Sequence, residues 1–410
     1  MNIQDIESQA HARNSATWLL VIGIIATATN LRAPITSVGP LIGHMKDSLH
    51  ISNTLAGMIT TLPLLAFALF SPIVPRLSRK IGVERIIFLS LIMLVIGIFL
   101  RSSSGVATLY IGTALLGIAI SVSNVLLPSV IKGKFPKNIG MMTGVYSISM
   151  NICGALASGI SVPLAIGFGL NWQGALGIWG FLSIVSIFIW FPQIIRKKNQ
   201  EDSPTTPIKR NGIKVWKSPL AWQVTLFMGL QSMMFYVLVA WLPEILKLNG
   251  ISEAQSGWYL SIMQLALLPF TFIVPIIAGR MADQRSLVVV SSGLFLAGTL
   301  GLLFGSTTFA LVWIILLGIG GGFAFSLAMM FFSLRTDSAE QAAELSGMAQ
   351  SVGYLLAGAG PILFGYLHDV TNSWTPPLLI LVFASLLLLI FGLGAGREHS
   401  IDSPHIKNAA

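Results

Sequence analysis

The stretch Trp18-Leu19-Leu20-Val21-Ile22-Gly23-Ile24-Ile25-Ala26-Thr27-Ala28-Thr29-Asn30-Leu31-Arg32-Ala33-Pro34-Ile35-Thr36-Ser37-Val38-Gly39-Pro40-Leu41 is uncharged at every position but one. About 20 such residues, wound as a helix, cross the hydrocarbon core of a bilayer. The exception is Arg32. A guanidinium at membrane depth costs from about 3 to more than 10 kcal/mol unless it faces water, protein partners or an anion. Pro34 has no N–H for the carbonyl of Asn30, so a main-chain acceptor is released one turn earlier, beside the arginine. Two roles are open to Arg32: a structural one, satisfied by neighbouring carbonyls, and a binding one in a polar cavity. We favour the second.

The rest of the chain repeats this pattern of long apolar runs. Of 410 residues 54% are hydrophobic and 10% charged, with a mean hydropathy of +0.81. A soluble domain carries about a quarter of its residues charged, so the class is a polytopic all-α membrane protein. The first run follows a polar segment, 1–15, and outlasts the apolar region of a signal peptide, which marks a retained helix. The lone Cys153 lies inside an apolar run and reads as a small packing residue.

Twelve spans are expected, at about 16–41, 52–75, 84–101, 106–131, 138–165 and 173–193, then 219–243, 254–279, 286–305, 308–333, 342–367 and 374–396. A basic, proline-bearing linker over 194–218 divides them into six-helix bundles at 16–193 and 219–396, with a tail over 397–410. With the N-terminus inside, 20 of the 24 Lys and Arg residues fall on inside segments, three outside (Lys46, Arg101, Lys247), and Arg32 in the membrane. Both ends are therefore expected to be cytoplasmic. The net charge of +9 is thus a topology signal, and no exposed domain offers a nucleic-acid surface.

The two halves repeat each other at an offset of 203: Gly39-Pro40 matches Leu242-Pro243, Pro72 matches Pro275, and Met142-Thr143-Gly144-Val145 matches Leu345-Ser346-Gly347-Met348. Duplicated six-helix units with substrate near the midplane describe a family of carriers. Arg32 has no partner, since the offset lands on Phe235; the symmetry breaks at the one charge in mid-span.

Gly279-Arg280-Met281-Ala282-Asp283-Gln284-Arg285 resembles the loop signature of the major facilitator transporters, whose charges lock helix ends together. In the first-half copy, Pro75-Arg76-Leu77-Ser78-Arg79-Lys80-Ile81-Gly82, Arg79 stands where that signature has an aspartate. Asn30 to Leu41 and Leu127-Pro128-Ser129-Val130-Ile131-Lys132-Gly133-Lys134-Phe135 are similar to the first- and fourth-helix motifs of the cyanate permease and nitroimidazole transporter group. The resemblance implies a carrier of small polar, anionic or nitro-bearing solutes in a bacterial inner membrane, working by alternating access, without cofactor or metal, and as a monomer.

Candidate substrate ligands are Arg32 with Asn30, Asn124, Tyr146, Gln231, Tyr236, Gln264 and Gln350; Ser121, Asn151 and Tyr354 are further polar residues at depth. Interhelical hydrogen bonds, worth only about 0.6 kcal/mol each, are the plainer role for any of them. Pro34, Gly39, Pro40, Arg79, Gly279, Asp283 and Arg285 are the candidate conformational residues. Small residues over Cys153–Gly159 and Ala357–Pro361 suit close helix approach.

All fifteen acids and all six histidines fall in loops or at expected helix ends, with Glu244 and Glu344 nearest the spans. A proton-driven multidrug exporter, the alternative function, would need such a group at depth. An enzyme would need a nucleophile with a base, paired carboxylates or metal ligands, and none is evident; nor is a phosphate-binding glycine loop.

Overall fold

The computed structural model describes residues 17–51, 53–103, 105–198 and 215–402. The expected N-terminal segment 1–15, linker residues 199–214 and tail residues 403–410 lie outside the described residues. The described residues are helical with short connections. In chain order they form α1 (17–29), α2 (Ala33–Thr36), α3 (Ile42–Leu49), α4 (Asn53–Phe70), α5 (Val74–Ile81), α6 (Val83–Arg101), α7 (Val106–Lys134) and α8 (Ile139–Val162). There follow α9 (Asn171–Lys198), α10 (Pro219–Leu248), α11 (Glu253–Ala278), α12 (Arg285–Phe304), α13 (Ala310–Leu334), α14 (Ala339–Thr371) and α15 (Thr375–Ala395).

Ten helical stretches are long and apolar enough to cross a membrane, and α4 with α5 forms an eleventh, bent by 62°. α14, 33 residues long, occupies the place of the expected span over 342–367. Serine hydroxyls start three of these helices: Ser218, Ser252 and Ser338 accept from the backbone N–H groups of Ala221, Gln255 and Gln341, each three residues on.

The first span departs from the single helix expected over 16–41. Its helical stretch runs over Thr17–Leu49, but the winding fails at Asn30–Arg32, resumes for one turn as α2, and passes through a 3-10 turn at Gly39–Leu41 into α3. Prolines at positions 34 and 40 fit it: each removes a donor, and each sits in the first turn of a helical segment.

The chain forms two compact units. The first comprises Met1–Pro63, Leu77–Leu127 and Ser149–Lys209; the second comprises Leu64–Arg76, Pro128–Ile148 and Arg210–Ala410. Within the first, Val38, Leu41, Met45, Ile59, Leu109 and Trp172 bury one apolar cluster, and Trp190, fully buried, donates its indole N–H to the Glu84 carbonyl at 3.0 Å.

Within the second unit the internal repeat has a physical counterpart. A Cβ on Gly144 of α8 would lie 2.8 Å from the Phe272 carbonyl oxygen of α11; on Gly347 of α14 it would lie 2.7 Å from that of Ser71. The two glycines, 203 positions apart, each admit a backbone from the other half of the sequence. Gly140 packs on the Pro275 carbonyl and on Gly279 in the same way. The repeat is imperfect where Pro72 and Pro275 correspond: the first sits in the turn at the 62° bend, the second inside the unbroken α11.

Of the small-residue stretches picked from sequence, Gly154 and Gly360 do pack tightly, whereas Gly159 and Gly358 have nothing within 4 Å of a built Cβ. Small size permits close approach but does not say which side of the helix is used.

Candidate functional site

The break in the first span displays Arg32. Asn30 and Leu31 donate their N–H groups three residues back, to Thr27 and Ala28, both at 3.1 Å, so the winding tightens as α1 ends. Arg32 then caps α2, and its carbonyl accepts from Ile35 at 2.9 Å and Thr36 at 3.0 Å. Its side chain is half-buried and runs to α8, where Nη1 donates to the Asn151 side-chain oxygen. Asn151 is 4% exposed. Thr36 ties the same two elements, its hydroxyl donating to the Gly154 carbonyl at 2.7 Å. Gly154 makes room for this: a Cβ there would stand 3.0 Å from Arg32 Cβ and 3.3 Å from Arg32 Cδ. The bond to the Asn151 amide fixes the direction of the guanidinium, and a planar fork held in one direction suits an anion.

The other candidates fall into distinct settings. In the first unit, Asn30 is buried and its side chain is used structurally. Its amide donates to the Ala26 carbonyl and the Ser186 hydroxyl, both at 2.7 Å, while its oxygen accepts from Ser183 at 2.6 Å. It braces the end of α1 against α9. Asn124 is buried, and the Ser121 hydroxyl returns to the Ile118 carbonyl.

In the second unit Tyr146 is buried, Gln231 donates to Ser232 Oγ at 2.7 Å, and Gln350 donates to Ser346 Oγ at 2.8 Å. Tyr236 stacks edge-on to Phe235, Gln264 is half-buried on α11, and Tyr354 packs on Phe67 at 4.8 Å.

The conformational candidates divide similarly. Pro34 is buried within α2, while Gly39 and Pro40 are exposed in the 3-10 turn. Arg79 is exposed on α5. Asp283 accepts from the Arg285 backbone N–H at 2.8 Å and its Nε at 2.7 Å. Burial opposes ionisation there, but these bonds and the charges of Arg285 and Arg335 outweigh it and hold the carboxyl below its usual range.

Beside it stands Arg335, one of the residues counted on inside segments, and it is buried. It is 2% exposed, donates to the Ala395 and Gly396 carbonyls at 2.6 and 3.0 Å and to the Gln284 side chain, and is drawn down to about 10 by burial, with Asp283 and Glu398 opposing.

The fourth-helix motif also finds partners in its own unit. Lys132 donates to the carbonyls of Ser333, at 2.6 Å, and Thr336, where α13 ends, and Ser129 donates to the Ala339 carbonyl at 2.7 Å. An ammonium on the last carbonyls of a helix is favoured by both hydrogen bonding and the helix dipole.

Two features escaped sequence reasoning. Asn151 ranked no higher than other polar residues, because its pairing with Arg32 spans 119 positions. Arg101 was placed among outside loop charges, yet it is 1% exposed at the end of α6 and donates to the Pro34 carbonyl at 2.6 Å. Its position at the edge of an apolar run hid this, and the carbonyl it meets is that of Pro34 itself rather than the Asn30 carbonyl that the missing N–H of Pro34 releases.

Comparison with known proteins agrees with this architecture. The Major Facilitator Superfamily profile matches residues 19–361 and 245–404. The chain is 46% identical over 402 residues to an uncharacterized transporter, YycB, of Bacillus subtilis (strain 168), covering 98% of this chain and 99% of that one. It is 41% identical over 383 residues to the 2-nitroimidazole transporter of Escherichia coli (strain K12), covering 93% and 96%. Identity to the cyanate transport protein CynX of the same organism is 26% over 357 residues, covering 87% and 91%. In three dimensions it resembles the proton:xylose symporter XylE with a TM-score of 0.76 at 12% identity, covering 94% of this chain and 98% of that one, a likeness of fold alone. The helical architecture, the 203-residue repeat and these matches together make the chain a member of the major facilitator superfamily, in the group that holds the 2-nitroimidazole and cyanate transporters.

Proposed function

We propose that the protein carries a small anionic or nitro-bearing organic solute across a bacterial cell membrane by alternating access, with Arg32 as its principal ligand and Asn151 orienting it. The observation that carries this is the half-buried guanidinium displayed at a break in the first span and hydrogen-bonded to the side-chain amide of Asn151. The relatives named for 2-nitroimidazole and cyanate support the substrate class, since both compounds present oxygen or nitrogen acceptors suited to a guanidinium fork. Asn124, Tyr146, Gln231, Tyr236, Gln264 and Gln350 stand as secondary ligands, and Asn30 as a brace. On this reading both termini are cytoplasmic and the monomer is the working unit.

The test is counterflow of 2-nitroimidazole in proteoliposomes by the wild type and by Arg32→Lys, Arg32→Gln and Arg32→Ala, with thermal unfolding alongside. One charge-assisted pair is worth about 1.5–3 kcal/mol, or roughly ten- to a hundredfold in affinity. Arg32→Lys should lose much of the binding, and the neutral variants nearly all of it, with folding intact. Undiminished counterflow in Arg32→Ala, or its failure to fold, overturns the assignment.

A further inference from the structure

The break in the first span leaves the Pro34 carbonyl without its helical donor: Val38, four residues on, donates instead to Ile35 at 3.4 Å. The Ser37 hydroxyl donates to the Pro34 carbonyl within the turn at 3.4 Å, and Arg101 reaches it from α6 through Nη1 at 2.6 Å. Its backbone is held fast, because a Cβ on Gly112 of α7 would fall 2.7 Å from the Arg101 Cα. The remaining donors, Nε and Nη2, are buried and have no hydrogen-bond partner among the described residues. The carbonyl already has a neutral donor in Ser37, so satisfying it does not by itself account for burying a cation there.

The location suggests what the residue is kept for. Pro34 lies two positions after Arg32, in the four-residue helix α2. That turn is tied twice: by Thr36 to the Gly154 carbonyl of α8, and by Pro34 to Arg101 of α6. Without the second tie the turn would hang from one hydroxyl, and the direction of Arg32 would no longer be set.

We infer that Arg101 is a positioning residue that, through the Pro34 carbonyl, holds the broken segment of the first span so that the Arg32 guanidinium stands on Asn151. This rests on the assignment of Arg32 as the substrate ligand.

The experiment compares Arg101→Lys, which keeps a donor of similar reach, with Arg101→Met, which keeps apolar bulk and loses the donor. Two readouts are taken. The first is KM against Vmax for 2-nitroimidazole uptake. The second, needing no ligand, is the rate at which N-ethylmaleimide alkylates Cys153, the chain's single cysteine, between Asn151 and Gly154. Arg101→Met should raise KM by about tenfold or more with Vmax little changed. It should also change the alkylation rate severalfold, and Arg101→Lys should restore both towards wild type. If Arg101→Met does not fold, Arg101→Gln, two bonds shorter, takes its place with the same expected outcome.

Wild-type KM and alkylation in the donorless or shortened variant overturn the inference, as does a lysine variant no better than methionine. Arg32→Gln, measured in parallel, separates the two claims. If its uptake is unimpaired, the ligand assignment falls while Cys153 reactivity still judges Arg101. If its uptake is lost and Arg101→Met behaves as wild type, the positioning role alone falls.

Discussion

Gly154→Ala perturbs the site without touching any polar group. Alanine in a helix interior is ordinarily favoured over glycine by about 1 kcal/mol. Here the added methyl would stand 3.0 Å from Arg32 Cβ and 3.3 Å from Arg32 Cδ, and 3.6 Å from Thr36 Oγ1. Overpacking of this kind costs about 1–3 kcal/mol. The gain in propensity therefore offsets part of the strain, and net stability should fall by about 0–2 kcal/mol.

The same substitution at Gly159 supplies the reference, since its Cβ would meet nothing within 4 Å, and it should be neutral or mildly stabilising. The two variants should thus differ by about 1–3 kcal/mol in unfolding free energy. Only Gly154→Ala should weaken 2-nitroimidazole binding, by about tenfold for each 1.4 kcal/mol of displacement passed on to Arg32. Melting curves and equilibrium binding on the purified variants decide it. Equal stability and equal affinity in the two would mean that the contact between α8 and Arg32 does not set the guanidinium.

Lys132→Met removes two bonds to the end of α13 and should cost about 1.5–3 kcal/mol, measured as a lowered unfolding midpoint in a mild denaturant series. Asp283→Asn should abolish a small acid-dependent stability increment. The folded-state carboxyl titrates below its usual range, so the increment is complete above the unfolded-state pKa and disappears as pH falls through the folded-state one. Melting of wild type and variant should therefore converge in acid and differ at neutral pH, by less than about 1 kcal/mol for so exposed a pair. Glu244, exposed and 3.1 Å from Lys247, and Glu344, in the second turn of α14, should both tolerate Gln with substrate uptake intact. Lost accumulation in either variant would show a carboxylate taking part in coupling.

Much of the molecule was readable before its structure was known, for identifiable reasons. Span number follows from the length of apolar runs, which the bilayer dictates locally. Pro34 announced a disturbance beside Arg32, because a missing donor is a local fact. Its extent was not readable: whether the chain stops at Leu41 or rewinds into α3 depends on burying Val38, Leu41 and Met45 against Leu109 and Trp172, which lie far along the chain. Asn30 and Asn151 look alike in sequence. One is consumed by Ser183 and Ser186, the other turned to Arg32, and only the packing of α9 and α8 separates them. Arg101 was counted with the outside charges, and a charge count cannot show its bond to a carbonyl 67 positions earlier.

The seams at Gly144 and Gly347 each set a glycine against a backbone carbonyl, with the rings of Phe272 and Pro75 beside them. Such contacts carry no group that titrates and no charge for salt to screen. Acidity and ionic strength can therefore act on the charged ties at Lys132 and Asp283 while leaving these two seams indifferent, and a single methyl group at either would force the packed backbones apart.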